Sequence, residues 1–494
     1  MKELFKYIII ALVVALMPAC SEDYLDINTD PNEPTEVSPD LALPVAQHLS
    51  ATYHYSASGR RTNTLGNLMM ANWSQSDGFA WYPDEFKYNV TSSFYQDIFN
   101  VAYRLPLKQY NTLDRPDDPT YDYYTAIAMI MKSYHFQILV DAYGDVPYSE
   151  ALQRSKKATP KYDKAEDIYA DLIVKLSAAI ELLNNPSELA MEPGNDDIMF
   201  GGDIESWIRF ANTIKLRILT RLSDMPDKQS YITEQLNAIS GGFITADVGV
   251  NPGYVAETDK QSPLWDNYGW SPTGADLMNW RATCATDYVL AKLQGFNDPR
   301  IDYIYEKPAT GHLGVPQGLL DYDTPILDQY MYDKVSNIGP GLLKSASMDA
   351  IIVTLAECYF NQAELALKGL ITGNVKDFYQ KAIEASFSYL GTPGAVAYYS
   401  QNKPMVGWDA TLAADKLEAI ITQKWIALNG IDAIQSWFDY NRTGYPSDVP
   451  LPLNYSATTD RPVRLRYPAS ELASNSANIP SQPDVFTEKI FWAK

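Results

Sequence analysis

Between Asp349 and Leu390, apolar residues fall at Ile352, Leu355, Ala356, Tyr359, Ala363, Ala366, Leu367 and Leu370. These intervals of three and four predict a helix with one buried stripe. Gly369 and the Gly373-Asn374 pair interrupt the pattern, and a second helical run follows with Phe378, Ala382, Ile383 and Ala385 on one face. So short a break makes the two helices antiparallel neighbours. Ala356, Ala363 and Ala366 allow close approach, while Tyr359 and Phe378 fill the wider gaps. A stacked helix-pair repeat of the tetratricopeptide kind and an ordinary helical hairpin both satisfy this stretch.

The same period recurs along the chain. It predicts helices over Leu41–Ala57, Leu65–Trp73, Ser93–Leu113, Tyr121–Tyr143, Ala165–Leu183, Trp207–Ser223, Tyr231–Ile239, Asp276–Leu293 and Leu412–Tyr440, the last broken at Asn429-Gly430. Strand-like alternation is scarce. The expectation is an all-α scaffold with long excursions at 74–92, 241–275, 301–347 and 391–411. Excursions of that length on a rigid frame are where function concentrates.

The first residues read as an address. Lys2 and Lys6 precede the apolar run Tyr7–Leu16, which is of secretory length and short of a membrane span. Met17-Pro18-Ala19-Cys20 follows. A cysteine after a small residue at this point is where a lipoprotein is cut and acylated, so residues 1–19 are expected to be a signal peptide and Cys20 the lipidation site. The alternative is a plain signal peptide with an incidental cysteine. Ser21-Glu22-Asp23 resembles a surface-export signal, and residues 20–39 form a polar, Pro-punctuated leader. Within it Asp26, Asn28, Asp30 and Asn32 alternate as in half a calcium loop, but Pro31 stands where the turn needs Gly and Val37 where the last acidic ligand belongs, favouring a turn. Cys284 and Cys358 lie in apolar stretches read as helical, and suit small buried thiols better than a disulfide.

Charge narrows the partners. With 61 acidic against 39 basic residues the formal charge is -22, and no long basic cluster is present to hold nucleic acid. The 35 Tyr and 10 Trp matter more, because both combine an apolar face with a polar tip. Two stretches mix aromatics with amides, acids and Gly without a clean helical or strand period. One is Trp73–Tyr82, with Asp77, Phe79 and Trp81; the other is Trp265–Arg281, with Asn267, Tyr268, Trp270 and Trp280. A sugar offers C–H groups to an aromatic face and hydroxyls to amides, carboxylates and guanidinium, so these eleven end-point and interior residues are the candidate ligand-binding set. A peptide would use the same groups. The competing reading packs each ring under its own loop, with Trp73 and Trp280 closing adjoining helices. No GxSxG elbow, HExxH, P-loop or dinucleotide fingerprint occurs, and His48, His54, His135 and His312 lack ligand spacing. No catalytic residue, metal or cofactor is expected, although abundant acidic pairs leave a surface glycosidase as the reading from a different class.

Several segments resemble the SusD/RagB-like outer-membrane lipoproteins. Asp141-Ala142-Tyr143-Gly144-Asp145-Val146-Pro147-Tyr148 continuing to Glu150-Ala151-Leu152 is similar to one of their signatures, as is Trp207-Ile208-Arg209-Phe210-Ala211-Asn212 leading to Lys215-Leu216-Arg217. Ala356-Glu357-Cys358-Tyr359 to Ala363-Glu364, Gln423-Lys424-Trp425 to Trp437, Arg442-Thr443-Gly444-Tyr445-Pro446, and Arg466-Tyr467-Pro468 with Glu471 and Asn475 complete the likeness. The resemblance implies one SusD-like domain over residues 40–494, with tetratricopeptide-like helix pairs in a right-handed scaffold and a loop-rich binding face. It implies a lipid-anchored cell-surface protein of the outer membrane, partnered by a SusC-like TonB-dependent transporter and capturing oligosaccharides or, in some members, peptides. It transfers no ligand residue, since those loops follow no fixed motif. The signature residues themselves read as structural: Gly144 and Pro147 fix a bend with Asp145 taking backbone donors, and Trp425, Trp437 and Arg442 suit packing and a helix-terminal ion pair.

Overall fold

The computed structural model describes residues 37–55, 61–320, 325–453 and 460–493. The expected signal peptide over residues 1–19, Cys20 and the alternating Asp26–Asn32 segment lie outside the described residues. The framework helices are Pro39–Tyr55 (α1), Thr62–Met69 (α2), Asp97–Arg104 (α3), Pro106–Leu113 (α4), Asp122–Tyr143 (α5), Ala165–Asn184 (α6), Ile204–Leu222 (α7), Leu355–Leu367 (α8), Val375–Leu390 (α9), Lys416–Leu428 (α10) and Ala433–Thr443 (α11). Among the described residues six short strands are Trp73–Gln75 (β1), Val146–Pro147 (β2), Tyr162–Asp163 (β3), Val248–Val250 (β4), Thr283–Ala285 (β5) and Ala350–Val353 (β6), joined as the antiparallel pairs β1–β5, β2–β3 and β4–β6.

Helix α8 packs on α9, and also on α7 and α10; α7 packs on α6, and α6 on α5. The Leu355–Leu390 pair is therefore one member of a stack and not a lone hairpin, which decides between the two readings of its stripe. Local chemistry sets the ends. Thr354 caps α8 by accepting from the Glu357 N–H, and Asn374 caps α9 by accepting from Lys376 and Asp377. Between them Gly369 and Gly373 hold positive φ.

Four predicted helices are revised. The Ser93–Leu113 run breaks into α3 and α4 because Pro106 has no N–H to continue the ladder. The Leu65–Trp73 run stops at Met69, and Trp73 enters β1. Asp276–Leu293 divides into a turn of helix at Met278–Ala282, strand β5, and a helix at Asp287–Gly295. Ile352 belongs to β6, so the helix beginning near Asp349 starts instead at Leu355. Cross-strand pairing outweighs local periodicity in these last three cases. Cys284 accordingly lies on a strand; it and Cys358 are both buried and free.

A web of charge runs through the middle of the stack. Arg217 and Arg221 sit one turn apart on α7, Glu357 and Glu364 two turns apart on α8, and Asp432 and Asp439 two turns apart at and within α11. Arg217 grips Glu357 with bonds of 2.8 and 2.5 Å and lies 3.3 Å from Asp432. Arg442 grips Glu364 at 2.5 and 2.7 Å, Arg221 pairs with Asp439 and Asp141, and Lys424 reaches Asp439 at 2.7 Å. None of these side chains is more than 2% exposed. Burial opposes ionisation of Glu364, yet Arg442 and Lys368 hold its carboxyl down at about 2. Asp432 goes the other way, burial raising it despite Arg217.

The signature turn after α5 is structural, by a longer reach than a local Asx turn. Asp145 accepts from the Ala165 N–H at 2.9 Å and from Lys164 Nζ at 2.8 Å, so it caps α6 from a distance. Trp425 and Trp437 are buried and donate their indole N–H to the Met70 and Pro462 carbonyls, at 3.2 and 3.0 Å.

Two stability predictions follow from these buried groups. Arg217→Ala leaves Glu357 and Asp432 without their partner and lowers the unfolding free energy in urea by about 3–5 kcal/mol. Arg217→Met with Glu357→Leu recovers most of that, because Asp432 can take a proton. Burial depresses His54 to about 4 and His135 to about 3, so between pH 6.5 and 4 the unfolded chain binds protons that the folded chain refuses. Stability falls as pH drops through that window, by up to about 1.4 kcal/mol per pH unit for each histidine. Asp432 acts in the opposite sense in parent and variant alike, so His135→Gln should lessen the pH slope of the urea midpoint by one proton's worth.

Candidate functional site

The β1–β5 ladder joins the two aromatic stretches, placing Trp73 opposite Ala285 and Gln75 opposite Thr283. Gln75 then folds the first stretch over. Its Oε1 accepts the N–H groups of Trp81 and Tyr82 at 2.8 and 3.2 Å, and its Nε2 donates to the Leu320 carbonyl at 2.7 Å. Asp77 accepts from the N–H groups of Gly78, at 2.7 Å, and Leu327, tying this loop to the 325–332 segment.

The result is one cluster of half-buried rings. Trp265 and Trp270 have centroids 5.0 Å apart at 45°, and Trp270 and Trp280 lie 5.5 Å apart at 43°. Trp81 joins through Asn279, whose Oδ1 accepts its indole N–H at 2.9 Å while Asn279 Nδ2 donates to Asn267 Oδ1 at 2.5 Å. Phe79 stands edge-on to Trp81 at 5.8 Å. The indole N–H of Trp265 goes to the Trp270 carbonyl and that of Trp280 to the Ile338 carbonyl, both at 3.0 Å. Three of the four indole donors are thus engaged internally, and what these rings offer outward is apolar surface. Arg281 lies at the edge in a two-pronged pair with Asp276, at 2.9 and 2.6 Å, and over the Tyr332 ring at 5.1 Å. The ion pair raises the guanidinium further and lowers the Asp276 carboxyl, its hydrogen bonds being the leading cause in both.

Five candidates belong beneath this surface and not on it. Trp73 is fully buried against Tyr268, with ring centroids 5.0 Å apart. Tyr82 and Tyr268 are buried, their hydroxyls bonded to Thr283 at 2.7 Å and Thr64 at 2.9 Å. Asn267 is buried and donates to the Tyr55 carbonyl at 3.1 Å. Asp77, 6% exposed, is occupied by backbone N–H groups. Apart from the Trp73 indole N–H, which has no partner among the described residues, their side-chain polar atoms are bonded within the fold, which is why they serve as floor. Phe79, Trp81, Trp265, Trp270, Trp280 and Arg281 remain partly exposed together. Asn279 lies within the second stretch without a ligand role of its own in the candidate set, and neither Tyr332 nor the 60%-exposed Met278 was singled out by the sequence. Met278 and Asn279 stood between named candidates; Tyr332 arrives from a distant excursion with no local signal.

Two clefts away from the ring cluster, of about 410 and 380 Å³, share Ala151 and Leu152 of the signature turn. The charges in the first are largely committed, Lys132 to Asp114 at 2.8 Å and Tyr148 to Asp171 at 2.6 Å. Among the described residues no group of three His, Cys, Asp or Glu is placed to hold a metal ion, and no helix is long and apolar enough to cross a membrane.

A family model described as "Starch-binding associating with outer membrane" matches residues 31–468. The chain belongs to the SusD-like family. Among solved structures this SusD-like chain is similar to a chitin-binding protein, with a TM-score of 0.76 and 23% identity over 92% of this chain and 100% of that one. It is also similar to a chitin-binding SusD homologue from Flavobacterium johnsoniae, with a TM-score of 0.75 and 22% identity over 92% and 98% of the two chains. A SusD homologue from Bacteroides uniformis aligns with a TM-score of 0.73 and 23% identity over 92% and 99%. Likeness at this identity shows a shared all-α architecture. No curated protein matches the chain.

Replacing Asn279 tests the bracing of the ring cluster. In Asn279→Ala the Trp81 indole proton should shift in the NMR spectrum and exchange with water at least tenfold faster, while the Trp265 and Trp280 indole protons hold their positions. A Trp81 signal unchanged from the parent would show that Asn279 does not brace it.

Proposed function

We propose that this SusD-like protein is a lipid-anchored capture protein of the cell surface, holding oligosaccharides on its tryptophan face and passing them to a SusC-like TonB-dependent transporter of the outer membrane. The observation that carries the reading is the gathering of Trp81, Trp265, Trp270 and Trp280 into one half-buried cluster with the indole donors of three turned inward. Such a surface suits the C–H faces of pyranose rings, with Arg281, Asp276 and Asn279 at its border for hydroxyls. The family's starch-binding description and the two chitin-binding relatives support the same class of ligand. Cys20 would supply the anchor, with residues 1–19 removed and 20–39 as the tether to one domain over 40–494. The function is binding and release, with no bonds made or broken in the glycan. The all-α frame suits that role: a packed helical body is a rigid mount, and recognition requires only that its loops present a fixed surface.

Calorimetry with chitin and starch oligosaccharides, and with a panel of short peptides, tests this. Trp270→Ala should weaken glycan binding about tenfold, the equivalent of about 1.4 kcal/mol, with the melting temperature little changed. Undiminished affinity in that variant would remove the tryptophan face from the site. Retention of peptides but of no glycan would replace the ligand class, and release of reducing ends from a retained glycan would replace binding with hydrolysis.

A further inference from the structure

The excursion at 391–411 encloses a pocket of about 290 Å³ that has no part in the tryptophan face. Its walls are Tyr399 and Trp408, both half-buried, and its rim carries Gln380 from α9 and Asn402 from the loop. A salt bridge of 2.5 Å from Lys376 to Asp409 links α9 to the loop at the same pocket. We infer that this pocket is a second carbohydrate site, taking one uncharged pyranose unit of a glycan chain.

Three features point to that ligand. The first is rigidity. The loop is pinned from below by Tyr379, whose hydroxyl donates to the Met405 and Val406 carbonyls at 3.2 and 3.0 Å, and by Gln423, whose Nε2 donates to Met405 at 3.0 Å. At Gly407 a Cβ would come within 2.0 Å of the Gln401 carbonyl, so the chain doubles back there with room for hydrogen alone. A concavity built on such fixed turns exists before its ligand arrives, which limits the ordering cost of binding.

The second feature is the state of the polar groups. Tyr399 is committed through its hydroxyl to Glu384 at 2.7 Å, leaving its ring as an apolar wall. Among the described residues the side-chain amides of Gln380 and Asn402 and the indole N–H of Trp408 engage no protein partner, in contrast to the engaged indoles of the tryptophan face. Amide donors and acceptors beside an indole donor and two aromatic walls match a ring of hydroxyls. The third feature is charge. Lys376 pairs with Asp409, and Lys416, whose Nζ lies 4.2 Å from the Trp408 ring centroid, is balanced at the other wall by Glu384, which holds the Tyr399 hydroxyl, so the charges around the pocket sum to zero. Its volume sits at the small end of ligand pockets, about 300 Å³ upward, which fits a single sugar unit and excludes a longer buried segment.

The inference rests on a glycan as the ligand class but on different residues from the proposed site, so one NMR titration separates the two. The full-length chain in detergent is titrated with the trisaccharide of N-acetylglucosamine and, separately, with that of glucose. The indole protons of Trp81 and Trp408 report the two sites. The Trp408 signal should move saturably with at least one trisaccharide, and Gln380→Ala/Asn402→Ala should raise its midpoint at least fivefold while leaving the Trp81 midpoint unchanged. That double variant touches only partly exposed and exposed side chains, so folding is retained. A Trp408 signal that stays still while Trp81 saturates overturns the second site alone. So does a Trp408 midpoint unchanged in the double variant. Movement of Trp408 with a motionless Trp81 upholds the second site and removes the first, and stillness of both with both sugars removes the two together.

Discussion

The arrangement depends on ionised side chains being paired where water does not reach. Arg217, Arg221, Lys424 and Arg442 meet Glu357, Glu364, Asp141, Asp432 and Asp439 in the interior, drawing on α5, α7, α8, α10 and α11. An apolar seam would let two helices slide or rotate with small changes in free energy. Interlocked guanidinium and carboxylate groups do not, since a displacement of a few ångströms strands charge in a poorly solvating medium. The web is therefore less a source of stability than a means of fixing register, and it fixes it across helices far apart in sequence.

From that frame a ladder of amides reaches the ring cluster. Asn63 donates to the Gly430 carbonyl at 2.9 Å, Asn67 accepts from the Gly430 N–H at 3.0 Å, and Asn72 donates to Asn67 at 3.1 Å. Tyr305 donates to the Asn72 carbonyl at 2.8 Å while accepting from Asn429 at 2.9 Å. The turn between α10 and α11 is thereby bound to the residues that lead into β1, and β1 carries the Trp73–Tyr82 stretch to β5. Position at the surface is inherited from the charged centre through a continuous set of backbone and side-chain bonds.

How much of this could be read in the chain differs by scale. Helix identity was legible wherever one face repeats for three turns or more, as in α5, α7 and the α8–α9 pair. It failed at Trp73, Thr283–Ala285 and Ile352, where three- and four-residue strands find partners some hundred or more positions away and no local period announces them. The aromatic stretches were visible by composition, and the structure does gather them. Composition could not say which rings would be floor: Trp73 and Trp270 are the same residue in similar company, and only the β1–β5 pairing puts one beneath the other's neighbours. The charged web was hidden for the opposite reason. Arg217, Glu357 and Asp439 look like ordinary solvated helix residues until the stack closes over them.

The tryptophan face also has its orientation set by main-chain atoms. The Trp270 carbonyl takes both the Trp265 indole and the Gln261 amide, at 3.0 and 2.9 Å, and the Ile338 carbonyl takes Trp280. Carbonyl oxygens are present whatever side chain a position carries. Border residues such as Met278 or Tyr332 can therefore be exchanged through evolution without unseating the rings, so that one enduring platform tolerates many different margins.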